Sequence, residues 1–309
     1  METNSKIYVA GHNGMVGSAI VRKLKDEGYN NLILKTHDDL DLTNQKEVES
    51  FFDLYEPEYI FLAAARVGGI VANNTYPAEF INNNLLIQTN IIHQCYIYNV
   101  KKLLFLGSSC IYPRDCQQPI KEDYFMTGPL EKTNDAYAVA KIAGIKMCQS
   151  YNKQYGSNFI SLMPTNLFGP GDNYDLENSH VFPAMIRKFH EAKLRNDNNI
   201  TLWGTGSPYR EFLHVNDLAD AALFLMNNYN SSEIINVGTG EDLTIKDLAL
   251  LMKKITNFKG EIIFDSTRPD GTPKKLLDVS KLHNLGWKHS IELEIGLIRT
   301  YEDYLMKIL

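Results

Sequence analysis

The chain has 309 residues, a formal net charge of -6 and an apolar fraction of 44%. These values are typical of a globular protein of about two domains and exclude collagen-like, coiled-coil and disordered chains. The negative charge argues against a nucleic-acid partner, because proteins that bind nucleic acid usually carry a basic face.

Cysteine usage and hydropathy define the expected setting of the chain. The four cysteines show no CxxC pairing, and the eight histidines contain no HExxH motif, so we expect neither a disulfide framework nor a metal centre. The first residues lack the long apolar core of a signal peptide, and no apolar run is long enough for a transmembrane helix. We therefore expect a cytoplasmic protein with no membrane partner.

The first half of the chain alternates between short apolar runs and helical patterns. Strands are predicted at 6–10, 32–35, 59–65, 103–107 and 158–163, and helices at 18–27, 46–55, 80–98 and 136–155. Strands that alternate with helices at this spacing indicate βαβ units. The pattern predicts an α/β fold with a Rossmann-type, doubly wound parallel sheet.

After about residue 165 the alternation becomes irregular. Residues 167–178 resemble a loop, and the predicted elements are helices at 181–192, 218–226 and 246–255 and strands at 200–203 and 234–237. We interpret this part as a smaller, mixed α/β substrate domain. The predicted cofactor domain is 1–168 with a return segment at 213–240, and the predicted substrate domain is 169–212 with 241–309.

Three glycines follow the first predicted strand and open the first predicted helix. Gly11, Gly14 and Gly17 give G-x-x-G-x-x-G: the first permits a tight turn, the second lets the backbone approach a pyrophosphate, and the third lets the helix pack on the strand. The helix N-terminus would point N–H groups at that anion. A plain βα turn is the alternative, but the order strand, turn, helix favours a dinucleotide site of the short-chain dehydrogenase type.

The end of the second predicted strand bears on the kind of dinucleotide. NAD sites usually carry an acid there to bind the ribose 2′-OH, whereas this strand ends in Lys35, with His37 soon after. The missing acid beside cationic residues favours NADP. Asp41, which precedes Leu42, could accept a hydrogen bond from the adenine amino group, although a solvated acidic loop is nearly as good an interpretation.

Three residues suggest carbonyl reduction. Tyr137 and Lys141 form Y-x-x-x-K, which places both on one helix face, and a neighbouring ammonium brings the pKa of a phenol nearer to neutral. An isolated match is usually a surface pair. Ser108, however, ends the fourth predicted strand at the sheet edge where α/β folds bind ligands. Together they predict a hydride from a nicotinamide, a proton from Tyr137 and a carbonyl polarised by Ser108.

Cys110 and His180 form a second candidate pair. Cys110 follows Ser108 by two residues, so strand alternation would place both on the same side. A cysteine is usually a small buried hydrophobe and a lone histidine is usually structural. Together they could remove and return protons next to a ketone, which spacing alone leaves as the less favoured interpretation.

The chain resembles the extended short-chain dehydrogenase/reductases and, within them, the GDP-L-fucose synthases, which are GDP-4-keto-6-deoxymannose epimerase-reductases. The segments that carry the resemblance are GHNGMVGSAI (11–20), AAARVGGIVANNTYPAEFI (63–81), LLFLGSSCIYP (103–113), YAVAKIAGIK (137–146), MPTNLFGPGDNY (163–174), NSHVFPAMIRKFHEA (178–192), WGTGSPYREFLHVNDLA (203–219) and PDGTPKKLLDV (269–279). The resemblance implies that Cys110 acts as base and His180 as acid at C3 and C5, and that NADPH then reduces C4. It also implies a homodimer formed through the helices at 80–98 and 136–155.

The resemblance further implies contacts to two anionic ligands. The motifs and the resemblance together assign the cofactor to Gly11, Asn13, Gly14, Met15, Val16, Gly17, His37, Asp41, Leu42, Lys141, Pro164, Asn166, Leu167 and His180. The GDP-4-keto-6-deoxy sugar is assigned to Asn166, Lys188, Trp203, Arg210, Asp270 and Lys275. Arg210 and Lys275 suit the charge of a diphosphate. A surface charge or a core aromatic is the alternative interpretation of each substrate contact.

Two positions depart from the family pattern. Related bacterial proteins typically have arginine where Asn13 and His37 stand, and both arginines would bind the 2′-phosphate. NADH is therefore an alternative to NADPH. Lys35 or Arg66 could supply the missing charge.

Three functions stay open on the sequence. The first is 3,5-epimerisation of GDP-4-keto-6-deoxy-D-mannose followed by NADPH-dependent reduction of C4 to GDP-L-fucose. The second is reduction of another GDP-4-keto sugar, such as a 6-deoxy-heptose, with or without epimerisation. The third is a non-catalytic Rossmann cofactor sensor, which predicts the loss of a Ser–Tyr–Lys set that this chain retains.

Overall fold

The computed structural model describes residues 1–175, 181–268 and 270–308. Its strands are, in chain order, β1 (Ile7–Ala10), β2 (Leu32–Ile33), β3 (Tyr59–Leu62), β4 (Lys102–Leu106), β5 (Phe159–Pro164), β6 (Asn166–Phe168), β7 (Asn199–Trp203), β8 (Tyr209–Arg210), β9 (Phe212–His214), β10 (Ile235–Val237), β11 (Leu243–Thr244), β12 (Glu261–Asp265) and β13 (Lys274–Lys275). Its α-helices are α1 (Met15–Asp26), α2 (Gln45–Tyr55), α3 (Ile70–Thr75), α4 (Pro77–Ile97), α5 (Asp135–Tyr155), α6 (Val181–Arg195), α7 (Val215–Asn228), α8 (Ile245–Thr256), α9 (Ser280–Asn284) and α10 (Leu293–Ile308). Single 3-10 turns lie at Ser109–Ile111 and Glu122–Tyr124.

The main sheet of the described chain has six strands in the order β10-β5-β4-β3-β1-β2, and every pair in it is parallel. Ile7 of β1 lies between Leu32 of β2 and Tyr59 of β3. The order of strands therefore reverses at β1, because the chain runs first to β2 on one side and then to β3, β4 and β5 on the other. Such a reversal opens a crevice at the carboxyl ends of the strands.

Both faces of the main sheet are covered by helices. Alternate residues of β1 enter two different hydrophobic cores: Ile7 and Val9 pack with side chains of α1 and α7, and Tyr8 and Ala10 pack with side chains of α2, α4 and α5. Successive side chains of a strand point to opposite faces, so a strand buried on both sides reads as one continuous apolar run. The predicted doubly wound parallel sheet is confirmed.

Polar side chains fix where several helices begin. The side chain of Asn44 accepts a hydrogen bond from the N–H of Lys46 at the start of α2, and that of Thr244 accepts one from Asp247 at the start of α8. Each cap satisfies an N–H group that has no partner within its helix.

A third core lies in the second half of the chain. It contains side chains of α6, α8 and α10 together with β7, including the buried residues Phe182, Phe189, Leu248 and Leu297. Strand β10, by contrast, pairs with β5 at the edge of the main sheet. None of the described helices combines the length and the apolar character needed to cross a lipid bilayer.

The predicted elements differ from the observed ones mainly in the short strands. Strand β2 has two residues instead of four, because Thr36 starts a turn in which its N–H and its hydroxyl donate to the carboxylate of Asp39. The short strands β6, β8, β9, β11, β12 and β13 and the helices α3, α9 and α10 were not predicted.

Candidate active site

The candidate residues of the first half meet at the carboxyl edge of the main sheet. Gly11 follows β1, Ser108 follows β4 by two residues, and Asn166 comes two residues after the end of β5. In a parallel sheet these ends share one edge, so three segments far apart in sequence contribute to one crevice.

The glycine turn has the shape of an anion cradle. Gly11 has a φ of +81°, and a Cβ on Gly17 would lie 2.1 Å from the carbonyl oxygen of Gly11, so neither position accepts a side chain. Asn13 and Gly14 are exposed, whereas Met15 and Val16 are half-buried at the start of α1. No side chain caps α1, and its first turn carries no acid. The free N–H groups and the positive end of the helix dipole therefore fit the pyrophosphate of a dinucleotide.

The loop after β2 holds the residues assigned to the adenosine end. The side chain of His37 is 80% exposed and its Nδ1 lies 4.0 Å from Asp41. The carboxylate of Asp41 accepts hydrogen bonds from the N–H and hydroxyl of Thr43, which lower its pKa. Leu42 is buried, and its carbonyl accepts a hydrogen bond from Asn90. One oxygen of Asp41, Oδ1, therefore already accepts hydrogen bonds within the loop. Its second oxygen, Oδ2, is the one that could accept a hydrogen bond from the adenine amino group.

Two cations that could compensate for Asn13 and His37 already have partners. The ammonium of Lys35 lies 4.6 Å from the ring centroid of Tyr55, and Arg66 pairs with Glu79. Both side chains are half-buried, but Lys35 lies against an aromatic ring and not a carboxylate, so it is the cation that can reorient at the smaller cost.

Lys141 is almost completely buried beneath the edge of the sheet. It is 3% exposed, and its ammonium donates a hydrogen bond of 2.8 Å to the carbonyl of Leu106 at the end of β4. The same group lies 4.9 Å from the ring centroid of Phe105 and 5.8 Å from that of Tyr137. Burial lowers the pKa of Lys141 to about 8, because it disfavours the charged form.

Tyr137 lies one turn before Lys141 on α5, with its ring edge-on to Phe80. Burial raises its pKa, the negative charge available to Cys110 raises it further, and the interaction with the Ser108 hydroxyl opposes both. The sequence suggested a pKa nearer to neutral. The direction is opposite because burial disfavours the charged phenolate, so the phenol keeps its proton and is suited to act as an acid.

Cys110 lies in the 3-10 turn that follows Ser108. The Ser108 hydroxyl oxygen accepts a hydrogen bond of 3.2 Å from the backbone N–H of Cys110, which fixes the Ser108 side chain at the start of this turn. The sulfur receives Asn134 Nδ2 at 3.3 Å and Lys275 Nζ at 3.6 Å. Lys275, assigned from the sequence to the diphosphate, thus contacts the thiol. His180, assigned as the acid, lies outside the described residues.

The predicted substrate residues cluster on and around a second, three-stranded sheet of order β11-β8-β13. Arg210 of β8 lies opposite Lys275 of β13. Burial lowers the pKa of Arg210, and the charge of Asp270 opposes that shift. The carboxylate of Asp270 accepts hydrogen bonds from the N–H and hydroxyl of Thr205. Asp270 therefore shapes the loop at residue 205 as well as facing the cation.

Trp203 is an exposed aromatic between two cations. Its side chain is 58% exposed, with the ammonium of Lys188 at 5.7 Å and the guanidinium of Arg268 at 5.2 Å from its ring. An exposed tryptophan with cations over its ring can stack on a planar base and attract its phosphates. Lys188 is half-buried, which lowers its pKa.

Asn166 is held by the backbone of Glu211, whose buried carboxylate in turn fixes two neighbouring loops. The Asn166 side chain donates to the carbonyl of Glu211 at 2.8 Å. The side chain of Glu211 accepts hydrogen bonds from the N–H groups of Thr239, Gly240 and Leu277. Pro164 ends β5 and Leu167 lies within β6, so both contribute mainly backbone to this edge.

Several residues of the site were not predicted. Asn134 precedes the helix predicted at 136, where an asparagine usually caps, yet it donates to Cys110 instead. Glu211 follows Arg210 and precedes the apolar Phe212 and Leu213, and this position carries no clear sequence signal of a buried carboxylate. The buried Nδ1 of His12 has no partner among the described residues and lies in the glycine turn. Arg268 gives no sequence signal.

Within the described ranges, no group of three or more His, Cys, Asp and Glu is arranged to hold a metal ion.

Comparisons with known proteins show which family and which solved folds the chain resembles. Residues 7–238 match the NAD dependent epimerase/dehydratase family. A protein of Arabidopsis thaliana described as putative GDP-L-fucose synthase 2 is 60% identical over 308 residues, which cover 100% of this chain and 94% of that protein. A solved GDP-6-OMe-4-keto-L-xylo-heptose reductase from C. jejuni is 44% identical, with a TM-score of 0.95 and 99% of each chain covered. A GDP-L-fucose synthetase from Naegleria fowleri, solved with NADP bound, is 30% identical, with a TM-score of 0.92 over 100% of this chain and 96% of that one.

Proposed function

The chain belongs to the NAD dependent epimerase/dehydratase family, and we propose that it epimerises GDP-4-keto-6-deoxy-D-mannose at C3 and C5 and then reduces C4 with NADPH to give GDP-L-fucose. The observation that carries the proposal is that one crevice holds both a reducing set and a thiol with an ammonium beside it. The 60% identity to a putative GDP-L-fucose synthase supports the same assignment.

The cofactor would be held by residues of the first half. The glycine turn would bind its pyrophosphate, and Pro164, Asn166 and Leu167 would border the nicotinamide end. The reduced nicotinamide, when bound, supplies a hydride to C4. Lys141, whose ammonium is fixed under Leu106, would position the ribose and keep positive charge next to the phenol.

In the epimerisation, the residues of this chain move protons. The C4 ketone acidifies the protons on C3 and C5. The thiolate of Cys110 would accept such a proton, and His180 would return one to the opposite face. In the reduction, Ser108 would polarise the C4 carbonyl, and Tyr137 would donate the proton to its oxygen. The raised pKa of Tyr137 keeps that proton available.

The preference for NADP over NAD is part of the proposal. A relative of this fold has been solved with NADP bound, which supports NADP. NADH stays an alternative, because the exposed His37 is a weaker anion ligand than an arginine and Asp39 lies in the same loop. The ratio of kcat/KM with NADPH to that with NADH measures the preference. We expect it to exceed one and to rise when Asp39 is replaced by asparagine.

The proposal also covers the division into domains, the oligomeric state and the location. We assign 1–168 and 213–240 to the cofactor, since β10 adds to the main sheet, and 169–212 with 241–309 to the substrate. A homodimer is supported by exposed apolar side chains on α4 and α5, which are Leu86, Ile97, Val139 and Tyr155. Four free cysteines are compatible with a cytoplasmic location.

Reduction of another GDP-4-keto sugar is the second candidate. It is favoured by the TM-score of 0.95 to a GDP-keto-heptose reductase, whose sequence identity is nevertheless lower than that of the putative fucose synthase. The two candidates share the reducing set and differ in the pocket and in the use of Cys110.

Replacement of Cys110 by serine separates the two halves of the reaction. We expect Cys110→Ser to reduce deuterium incorporation from D2O into C3 and C5 of the keto sugar by ~100-fold or more. The reverse oxidation of GDP-L-fucose by NADP⁺ needs no epimerisation and should stay within a few-fold of the parent rate. Cys116→Ser, at a half-buried thiol that the charge of Lys275 also reaches but that has no role in the proposed steps, is the matched control. Unchanged deuterium incorporation in Cys110→Ser would refute the assignment of the base.

A further inference from the structure

The sulfur of Cys110 receives two donors from elements far apart in the chain. Asn134, just before α5, places Nδ2 at 3.3 Å, and Lys275, in β13, places Nζ at 3.6 Å. The two donors approach from the first and the second half of the molecule. Both groups can donate to the sulfur, and the ammonium places a positive charge directly beside it.

The backbone directly after Lys275 is held by hydrogen bonds to two other segments of the chain. The N–H of Leu276 donates to the Gln118 side chain at 2.8 Å, and the carbonyl of Leu276 accepts from the N–H of Ile120 at 2.7 Å. The N–H of Leu277 donates to the buried carboxylate of Glu211 at 2.9 Å. These bonds hold β13 against the segment that follows Cys110. The backbone from which the Lys275 ammonium contacts the sulfur is therefore fixed.

The neighbouring lysine gives a direct contrast. Lys274 forms an ion pair of 3.0 Å with Asp242 and lies 5.4 Å from the ring of Tyr209. In the described part of the chain, Lys275 has no such carboxylate within ion-pair distance, and its contact is the thiol. Of two adjacent lysines on one strand, only Lys275 has its charge next to Cys110.

We propose that Lys275 is a positioning residue of the epimerisation, which holds the sulfur of Cys110 and stabilises it as the thiolate. The inference rests on the proposed role of Cys110 as the base. In the step it supports, the carbon–hydrogen bond next to the ketone breaks and a sulfur–hydrogen bond forms. The electron pair passes to the ketone oxygen as an enolate, and an acid on the other face returns a proton to the carbon. Lys275 keeps its own protons throughout.

The other groups that face the sulfur are compatible with this role. From α5, the phenol of Tyr137 faces Cys110, and a charge on the sulfur raises the pKa of that phenol. Asn134 is neutral, and Ser108 contacts the backbone of Cys110. Lys275 is therefore the cation in contact with the sulfur among the described residues. Lys275 would thereby help to give Cys110 and Tyr137 different roles. A negative charge on Cys110 raises the pKa of Tyr137, so Tyr137 keeps its proton for the later reduction.

Alkylation of the cofactor-free protein tests the proposal without turnover. Cys110 is alkylated with iodoacetamide across a pH series in a Cys116→Ser background, and the modified peptide is quantified by mass spectrometry. We expect Lys275→Met to slow alkylation near neutral pH by ~10-fold and to move the midpoint of the profile upward by about one pH unit. Lys275→Arg should retain most of the parent profile. Lys274→Met, on the same strand, should leave it unchanged.

Activity provides the second readout. In Lys275→Met, deuterium incorporation at C3 and C5, measured at saturating sugar, should fall ~10-fold near neutral pH and recover as the pH rises. Because Lys275 is also assigned to the diphosphate, KM for GDP-L-fucose in its oxidation by NADP⁺ should rise in this variant, and the pH-dependent loss of deuterium incorporation is the readout that a phosphate contact alone does not produce. Measurable oxidation of GDP-L-fucose by NADP⁺ shows that the variant folds. If Lys275→Met does not fold, Lys275→Gln is measured in the same two assays.

The results separate this inference from the proposed function. An alkylation profile of Lys275→Met that superimposes on that of the parent, or an equal shift in Lys274→Met, overturns the role of Lys275. Persistent deuterium incorporation in Cys110→Ser overturns the proposed base instead.

Discussion

The glycine turn and Ser108 come shortly after strands of the main sheet in the sequence. Arg210 and Lys275, by contrast, lie on strands of only two residues. The first region is shaped by elements whose hydrophobic periodicity is local. The second depends on pairings such as β8 with β13, which join residues about sixty positions apart. We call these the sheet-edge region and the short-strand region.

The contrast assigns different work to the two regions. The sheet-edge region supplies the anion cradle, the buried Lys141 and the phenol, so its variants should affect turnover or cofactor binding. In the proposed function the short-strand region would supply cations to the substrate, and its Lys275 contacts the thiol of the sheet-edge region. Cys110 is where the two regions meet.

The largest effect is expected in the sheet-edge region, at Tyr137. Tyr137→Phe removes the proton donor, so we expect kcat for reduction to fall ~100- to 10,000-fold. Deuterium incorporation at C3 and C5 should persist, because it depends on Cys110. NADPH oxidation and NMR of the sugar measure the two steps. Undiminished turnover would contradict the assignment.

Gly17→Ala tests the cradle of the same region. Its Cβ would lie 2.1 Å from a backbone oxygen, so the turn must shift. We expect the affinity for NADPH, followed by fluorescence titration, to fall ~10-fold or more, with a loss of stability of ~1–3 kcal/mol. Gly28→Ala, with a φ of +82° but no atom within 4 Å of the added Cβ, is the control for backbone strain alone. Equal losses of affinity in both variants would show that the close contact at Gly17 does not determine cofactor binding.

Arg210→Met sharpens the comparison from the short-strand side. A half-buried guanidinium that binds a phosphate contributes ~1.5–3 kcal/mol, so KM for the GDP-sugar should rise ~10-fold or more. The affinity for NADPH should not change. Arg195→Met, at the end of α6 where Arg195 pairs with Asp197, should leave both constants unchanged. A loss of cofactor affinity in Arg210→Met would break the division between the regions.

The smallest effect is expected at Asp172. Its neighbour Gly171 donates its N–H to Asp303 of α10. Burial raises the pKa of Asp172 to about 7, and its Oδ2 has no partner in the described ranges. Between its ordinary pKa and about 7, the folded protein holds a proton that the unfolded chain lacks. Stability from this group is therefore present at low pH and lost as the pH rises through that window.

Asp172→Asn removes this pH dependence. We expect the variant to be more stable than the parent by ~1 kcal/mol at about pH 8, with a difference that shrinks towards pH 5. Urea unfolding at both pH values measures it. A constant difference between the two proteins would show that the carboxyl does not titrate as inferred.

The two regions also differ in how far the sequence predicts them. The strands that end at Ala10 and Leu106 and the helix that carries Tyr137 were predicted within a few residues, because their apolar periodicity is local. The strands that hold Arg210 and Lys275 have two residues each and no periodicity of their own. The contact of Lys275 with Cys110 depends on Gln118 and Glu211, whose positions only the folded chain determines.

One measurement tests the central claim, that a single crevice both epimerises and reduces. The protein is incubated with GDP-4-keto-6-deoxy-D-mannose and NADPH in D2O, and the product is identified by NMR. The account predicts GDP-L-fucose that carries deuterium at C3 and C5. A reduced sugar with unchanged configuration and no deuterium at these carbons would show a reductase alone and would contradict the account.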